Sequence, residues 1–497
     1  MIQHFKYILF TVFAMLTVLS AQAVGPSGMY QYSVALTHYI SSETGKAPTA
    51  YLWLPNGEKK VKAVMLAQQN MTEEALFKME SFRKELRRMD VALLWVAPAF
   101  SQKWDPATPC QSIFDDMMTA IAFQSGHQEI AKAPVIPFGH SAQATFPWNF
   151  AAWNPNRTLC IISFHGDAPR TNLCGFGTDN VEWGRHRNID GIPGLMIEGE
   201  YEWWEARVRP ALAFRIMYPK SCISFLCDTG HGHFDCAEKT AHYIALFIQK
   251  SMEHRLQANG TLKAVDPQEG WLADRYHSDL PGTDGDDKGK IYPVKPYAVA
   301  APYNAYKGDP HDAFWYFDRE MAEMTMARYR ESQGKRKQYV GVCQDGKLLP
   351  LNSKVQCGML AQWAPEADGI TFHLQAVYTD STHMARTDTH AANQPHIEVI
   401  SGPVEKIDDN TFRITNYEAG WDNPRRSFSV LLVAVGEPDK QYRGCVQPVM
   451  LQLPHDIMDR LKWAQGGLSV AGGCRCLTKD GNTSIEKEGY IPYPLQA

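Results

Sequence analysis

Pro137-Phe138-Gly139-His140-Ser141-Ala142-Gln143-Ala144 is the stretch on which the reading of this chain turns. Ahead of it, Ala133-Pro134-Val135-Ile136 is a short apolar run with the character of a buried strand, and behind it Thr145 to Trp153 can form a helix. A Gly-x-Ser turn between strand and helix holds the serine on a sharp bend. The hydroxyl is then exposed, and the amide of the next residue is aimed at the same point. An acyl-transfer nucleophile needs that geometry, although the tripeptide alone also fits an ordinary Gly-Ser loop.

Working outward, alternating segments at Tyr30 to Thr37 and Thr49 to Leu54 predict an antiparallel start. Strands are then expected at Val61 to Leu66, Val91 to Val96, Pro134 to Phe138, Leu159 to Phe164, Pro193 to Ile197 and Cys222 to Cys227. Helices are expected at Glu73 to Arg88, Ser112 to Phe123, Trp203 to Met217 (with Pro210 as a flaw) and Cys236 to Arg255. This alternation predicts an α/β fold, a doubly wound and mostly parallel sheet with helices on both faces. Such sheets bind ligands beyond the carboxyl ends of their strands.

Later the text changes character. From about Gln257 to Asp309 it is rich in Pro, Gly, Asp and Tyr and predicts a linker or wrapping segment. The Asp284 to Asp287 cluster lacks calcium-loop spacing and predicts a solvated turn. A helix is expected from Asp312 to Ser332, opening on Phe314, Trp315, Tyr316 and Phe317. Short alternating strands from Tyr339 onward predict a C-terminal, mainly-β, sandwich-like domain. The expected division is a signal peptide over 1–23, a catalytic domain over 24–256, a linker over 257–310 and a helix plus β-domain over 311–497.

A serine hydroxyl needs a general base, and the base needs an orienting acid. Ile197-Glu198-Gly199-Glu200-Tyr201-Glu202 follows one predicted strand, and Asp228-Thr229-Gly230-His231-Gly232-His233-Phe234-Asp235 follows the next. The order Ser, acid, His is that of α/β-hydrolases. Residues from about Met29 to Leu256 resemble an α/β-hydrolase domain of the secreted serine esterase and lipase type.

The resemblance implies site residues one by one. Gly199-x-x-Glu202 matches the family's acid turn and makes Glu202 the first acid, with Glu198, Glu200 and Asp167 as alternates. Gly232-His233-Phe234 matches the Gly-His-aromatic form and makes His233 the base, with His231 as alternate. One oxyanion donor is implied at Ala142, and the second in the loop Ala67 to Thr72, at Asn70 or Met71. Gln68, Gln69 and Asn70 could also meet substrate hydroxyls through their side chains. Two departures stand out. Gln143 replaces the small residue usual two positions after the serine, and Pro147 sits early in the following helix. The catalytic groups all precede residue 240, so a chain ending near 256 is expected to keep the triad.

Composition sets the surroundings. The chain has 497 residues, a formal net charge of −5 and no basic run, which argues against a nucleic-acid partner. Met1 to Ala23 has Lys6, an apolar run from Tyr7 to Leu19 and Ala21-Gln22-Ala23, the pattern of a cleaved secretory signal. The expected product is exported, periplasmic or released, with no stable membrane insertion. Eleven cysteines leave one or more unpaired within the chain; Cys343 with Cys357, and Cys445 with Cys474 or Cys476, are plausible pairs. Cys222 and Cys227 are expected on one strand and too far apart to pair. No cofactor and no metal are expected. Thirteen tryptophans, with Trp104, Trp148, Trp203 and Trp204 flanking candidate loops, suit a sugar or phenolic ligand, although such residues also fill cores. The reading is an esterase acting on small-molecule or glycan esters. A peptidase of the same fold and a binding protein on a hydrolase scaffold are its rivals.

Overall fold

The structure is a computed structural model. It describes residues 29–40, 47–57, 59–70, 72–173, 179–202, 205–278, 289–332, 339–349, 360–361, 371–379, 384–386, 395–402, 404–414, 427–436 and 444–452. The signal segment, Met71, the Asp284 to Asp287 cluster, Trp203, Trp204, Cys174, Cys357, Cys474 and Cys476 lie outside the described residues.

In chain order the α/β part runs β1 (Tyr32–Ala35), β2 (Thr49–Trp53), β3 (Ala63–Gln68), α1 (Glu73–Lys78), α2 (Glu80–Met89), β4 (Val91–Ala97), α3 (Cys110–Ser125), β5 (Val135–His140), α4 (Phe146–Trp153), β6 (Ile161–Phe164), β7 (Pro193–Gly199), α5 (Glu205–Met217), β8 (Cys222–Asp228) and α6 (Glu238–Arg255). The rest adds β9 (Trp271–Asp274), β10 (Ala301–Pro302), β11 (Ala313–Tyr316), α7 (Arg319–Ser332), β12 (Tyr339–Gln344), β13 (Lys347–Leu348), β14 (Leu360–Ala361), β15 (Thr371–His373), β16 (Gln375–Thr379), β17 (His396–Ser401), β18 (Val404–Lys406), β19 (Thr411–Ile414), β20 (Ser427–Val435) and β21 (Gln447–Gln452). The predicted alternation of strands and helices is what forms. The chain divides into two compact units: 1–163 with 169–194 and 241–265, and 164–168 with 195–240 and 266–497.

In the first unit the strands lie in the order β1-β2-β4-β3-β5-β6. β1, β2 and β4 pair antiparallel, whereas β3 pairs parallel with both β4 and β5. Every residue of β3 and of β5 is buried. A strand covered on both faces reads as a continuous apolar run, which is why these two were legible. Leu52, Val64, Leu94, Phe114 and Phe150 share one core with Trp104, whose ring meets Phe150 edge-on at 4.8 Å. Trp104 and Trp148 are both fully buried, so neither offers a sugar platform. The expected helix Glu73 to Arg88 is instead two helices, because Met79 takes extended backbone between them.

In the second unit β7 and β8 are neighbours. The predicted helix start at Asp312 is corrected. Phe314, Trp315 and Tyr316 lie in β11, which pairs antiparallel with β9 inside the expected linker, and the helix begins at Arg319. All four residues of β11 are buried, and a helix cannot bury consecutive aromatics on every side as a strand between two layers can. Phe314 stacks on Phe225 of β8 at 5.0 Å, and the Tyr316 hydroxyl donates to the Phe225 carbonyl at 2.6 Å. Cys222 and Cys227 do share one strand, β8. The C-terminal part forms separate sheets, β13-β12-β16, β14-β21-β20-β17 and β15-β19-β18. Among the described residues, no helix is long and apolar enough to cross a membrane.

Candidate active site

Ser141 follows the last residue of β5 and opens a single 3-10 turn, with φ at +52°. A non-glycine residue in the left-handed region is held there by its surroundings at a cost of order 1–3 kcal/mol. Here those surroundings are visible. The amide of His140 donates to the Glu73 carboxylate at 2.8 Å, and the His140 carbonyl accepts from Asn70 Nδ2 at 2.6 Å. Both backbone groups of the residue before the serine are thus clamped. Glu73 is fully buried, and its position at the start of α1 gives it this task.

Gly139 closes the turn. A Cβ there would overlap the Gln143 carbonyl oxygen, so the chain folds back on itself too closely for any side chain. The departure at Gln143 therefore does not open the bend, because the close approach is made by Gln143 backbone on Gly139. The Gln143 side chain is buried, and among the described residues neither its Oε1 nor its Nε2 has a hydrogen-bond partner. Pro147 falls in the first turn of α4, where its missing N–H was not required. Gly139→Ala is expected to destabilise the fold by about 1–3 kcal/mol through overpacking. Chemical denaturation checks this, and an unchanged midpoint would mean the turn is looser than described.

Gln68, the last residue of β3, is not open to a substrate. Its Oε1 accepts the amides of Phe100 and Ser101 at 3.0 Å each, and its Nε2 donates to the Ser101 carbonyl at 2.7 Å. Asn70 is the His140 clamp through its side chain. Ala142 is buried immediately after the serine.

The second unit carries the acid and the histidines. Glu202 lies in a 3-10 turn directly after β7 and accepts a hydrogen bond from His233 Nδ1 on one oxygen. Its other oxygen accepts from His165 Nδ1 and, at 2.9 Å, from the Gly199 amide. Arg207, one turn into α5, donates to Glu202 Oε2 at 2.9 Å and lies 3.8 Å from Asp167. Gly199 is needed where it stands, since a Cβ would be 2.8 Å from the His231 carbonyl oxygen. The acid turn and the histidine loop pack directly, and the Tyr201 amide donates to His231 O at 2.9 Å.

The electrostatics follow from burial against pairing. Burial would raise the Glu202 carboxyl, but the charges of His233 and His165 and their hydrogen bonds hold it well below 4.5. For His233 burial dominates and pulls the imidazole below 6.5, with the charge and hydrogen bond of Glu202 opposing. His165, Glu202 and His233 place one ligand atom each within 4.8 Å of one another, a donor set of metal-binding type. The carboxylate is already filled by two imidazoles, an amide and a guanidinium, and the fixed Arg207 charge opposes a cation there.

The alternates have other partners. His231 Nδ1 lies 3.1 Å from Asp228 Oδ1, and Arg328 and Thr240 also donate to Asp228. Burial pulls His231 down, but Asp228 and Asp235 raise it overall. Glu200 accepts the Gly230 amide at 2.7 Å and the Tyr276 hydroxyl at 2.8 Å. Asp167 faces Arg207. Asp235 accepts the amides of Gly232 at 2.8 Å and Val446 at 3.1 Å. Loop 228–235 is therefore tied to Arg328 and Val446 through Asp228 and Asp235, and to Tyr276 by way of Glu200. His165 and Arg207 were not singled out in the sequence. His165 lies two residues before Asp167 with φ at +48°, and Arg207 lies in the first turn of α5, five positions after the acid.

No family model matches the sequence, and no curated protein matches it. Solved structures similar to it include an alpha-beta serine hydrolase homologue from Coxiella burnetii, at 11% identity over 44% of this chain and 96% of that one, with a TM-score of 0.29. A fluorophosphonate-binding serine hydrolase of Staphylococcus aureus matches at 11% identity over 44% and 96%, with a TM-score of 0.31. An S-formylglutathione hydrolase from Agrobacterium tumefaciens matches at 14% identity over 44% and 92%, with a TM-score of 0.31. At this level of likeness it is the side-chain geometry that bears on chemistry.

Proposed function

We propose that this protein is a serine hydrolase of carboxylic esters working through an acyl-Ser141 intermediate. The observation that carries the reading is Ser141 at φ +52° just after β5, in a turn clamped at His140 by Glu73 and Asn70 and closed by the approach of Gln143 backbone to Gly139. His233 is the base. With Nδ1 held by Glu202, its Nε2 is the nitrogen that takes the Ser141 proton as Oγ attacks the ester carbonyl. The amide of Ala142, with that of Asn70 or Met71, stabilises the oxyanion. His233 returns the proton to the leaving alcohol, and water then releases the acid by the same steps.

The finer reading is an exported enzyme that removes acyl or aryl groups from complex glycans. Its support is the secretory pattern of Met1 to Ala23; Trp104 and Trp148 lend it nothing, being core. A fluorophosphonate probe tests the chemistry. Labelling mapped to Ser141 is expected, together with faster turnover of p-nitrophenyl acetate than of aminoacyl anilides. A folded protein that takes no label is a binder and not an enzyme. Release of acid from an acylated glycan, but not from its deacylated form, tests the substrate class.

A further inference from the structure

A second site lies in the unit that holds β9 and α5, and it shares no residue with the chemistry above. A cavity of about 360 Å³ is lined by Arg215, Pro219, Leu272, Tyr303, Tyr306 and His311. That is the size range of small-ligand pockets. Arg215 stands in the last turn of α5 and is only 8% exposed. Its Nη1 donates to the carbonyls of Pro310 and Ala313. Among the described residues, Nε is buried without a hydrogen-bond partner and no carboxylate forms an ion pair with the guanidinium. Burial lowers the Arg215 pKa, and tyrosines and a cysteine, not carboxylates, are the groups that oppose it.

A buried cation without a counter-ion is costly, and proteins seldom retain one without a use. The nearby acids are already engaged. Asp274 accepts from the Tyr306 hydroxyl and the Ala298 amide, Asp312 from Arg275, and Asp309 from the His311 amide. Among the described residues, the Nε–Nη2 edge of Arg215 meets no carboxylate, and that edge is the fork that a carboxylate engages with both oxygens. Around it stand Leu272 and Pro219 as apolar wall, with the ring of Tyr303.

We propose that this cavity binds a small organic carboxylate carrying a ring, with the carboxylate on the Nε–Nη2 edge of Arg215 and the ring against Tyr303 and Leu272. The probes are benzoate, inorganic phosphate and, as an ionic-strength control, sodium chloride, applied to the full mature chain in calorimetry and thermal denaturation. Benzoate is expected to bind saturably and to raise the midpoint beyond the chloride control, with phosphate weaker because it lacks the ring. Arg215→Gln also removes the bonds to Pro310 and Ala313 and could unfold the region, so two further variants carry the test. Ile216→Glu puts a carboxylate at an exposed residue of the rim, and Tyr303→Ala removes the ring contact. Each is expected to weaken benzoate about tenfold or more. Benzoate behaving as chloride, phosphate binding as tightly as benzoate, or unchanged affinity in both variants would overturn the proposal.

Discussion

Ser141→Ala is expected to lower ester turnover by about 10⁴-fold or more and to abolish fluorophosphonate labelling, with the denaturation midpoint unchanged. The size follows from the nucleophile acting as one unit with its base. Without Oγ there is no acyl intermediate, and only binding and the oxyanion donors remain. For the same reason His233→Ala should be as inactive as Ser141→Ala, and the double variant no worse than either. Parallel kinetics of the three variants on one activated ester decide it. A loss below about tenfold for Ser141→Ala removes this serine from the mechanism. An active His233→Ala beside an inactive His231→Ala reassigns the base to the imidazole on Asp228.

Glu202→Gln carries the second large effect, about 10⁴-fold in turnover, because an amide cannot hold His233 in the tautomer that leaves Nε2 free to accept a proton. It also has a pH signature. In the folded protein Glu202 titrates well below 4.5, so the stability it contributes is fully present above its unfolded pKa and is lost as pH falls through the folded one. The Gln variant should therefore lose less unfolding free energy than wild type between neutral pH and about pH 3. Asp228, depressed in the same sense by His231 and Arg328 against its burial, keeps part of the slope in both proteins. The wild-type acid limb of kcat/KM is expected below 6.5, since burial depresses His233. Because the Glu202 charge raises His233, the residual activity of Glu202→Gln should show that limb lower still. A limb above 6.5 in wild type would mean that the base is not this imidazole.

Much of this was legible in the sequence, and for a physical reason. β3 and β5 are buried on both faces and so appear as unbroken apolar runs, and the residues after them fall in turns. Glu202 was legible through Gly199, whose lack of a side chain is demanded by the histidine loop. What escaped depends on partners far away in the chain. His165 reaches Glu202 across 37 positions, and a lone histidine in a loop carries no periodicity to betray it. Gln68 read as a polar loop residue, yet its amide holds the backbone at Phe100 and Ser101. Phe314 to Tyr316 defeated the helix reading because a short apolar run fits either period, and only β9 beside it chooses the strand.

The anchoring of loop 228–235 has a consequence for when the molecule matures. Val446, whose amide is held by Asp235, is made 211 positions later. At about 5–20 residues per second, ~10–40 s of synthesis separate the loop from its last anchor. A chain still on the ribosome therefore carries His233 on an unfinished loop. On the proposed function, activity is therefore expected only from completed chains.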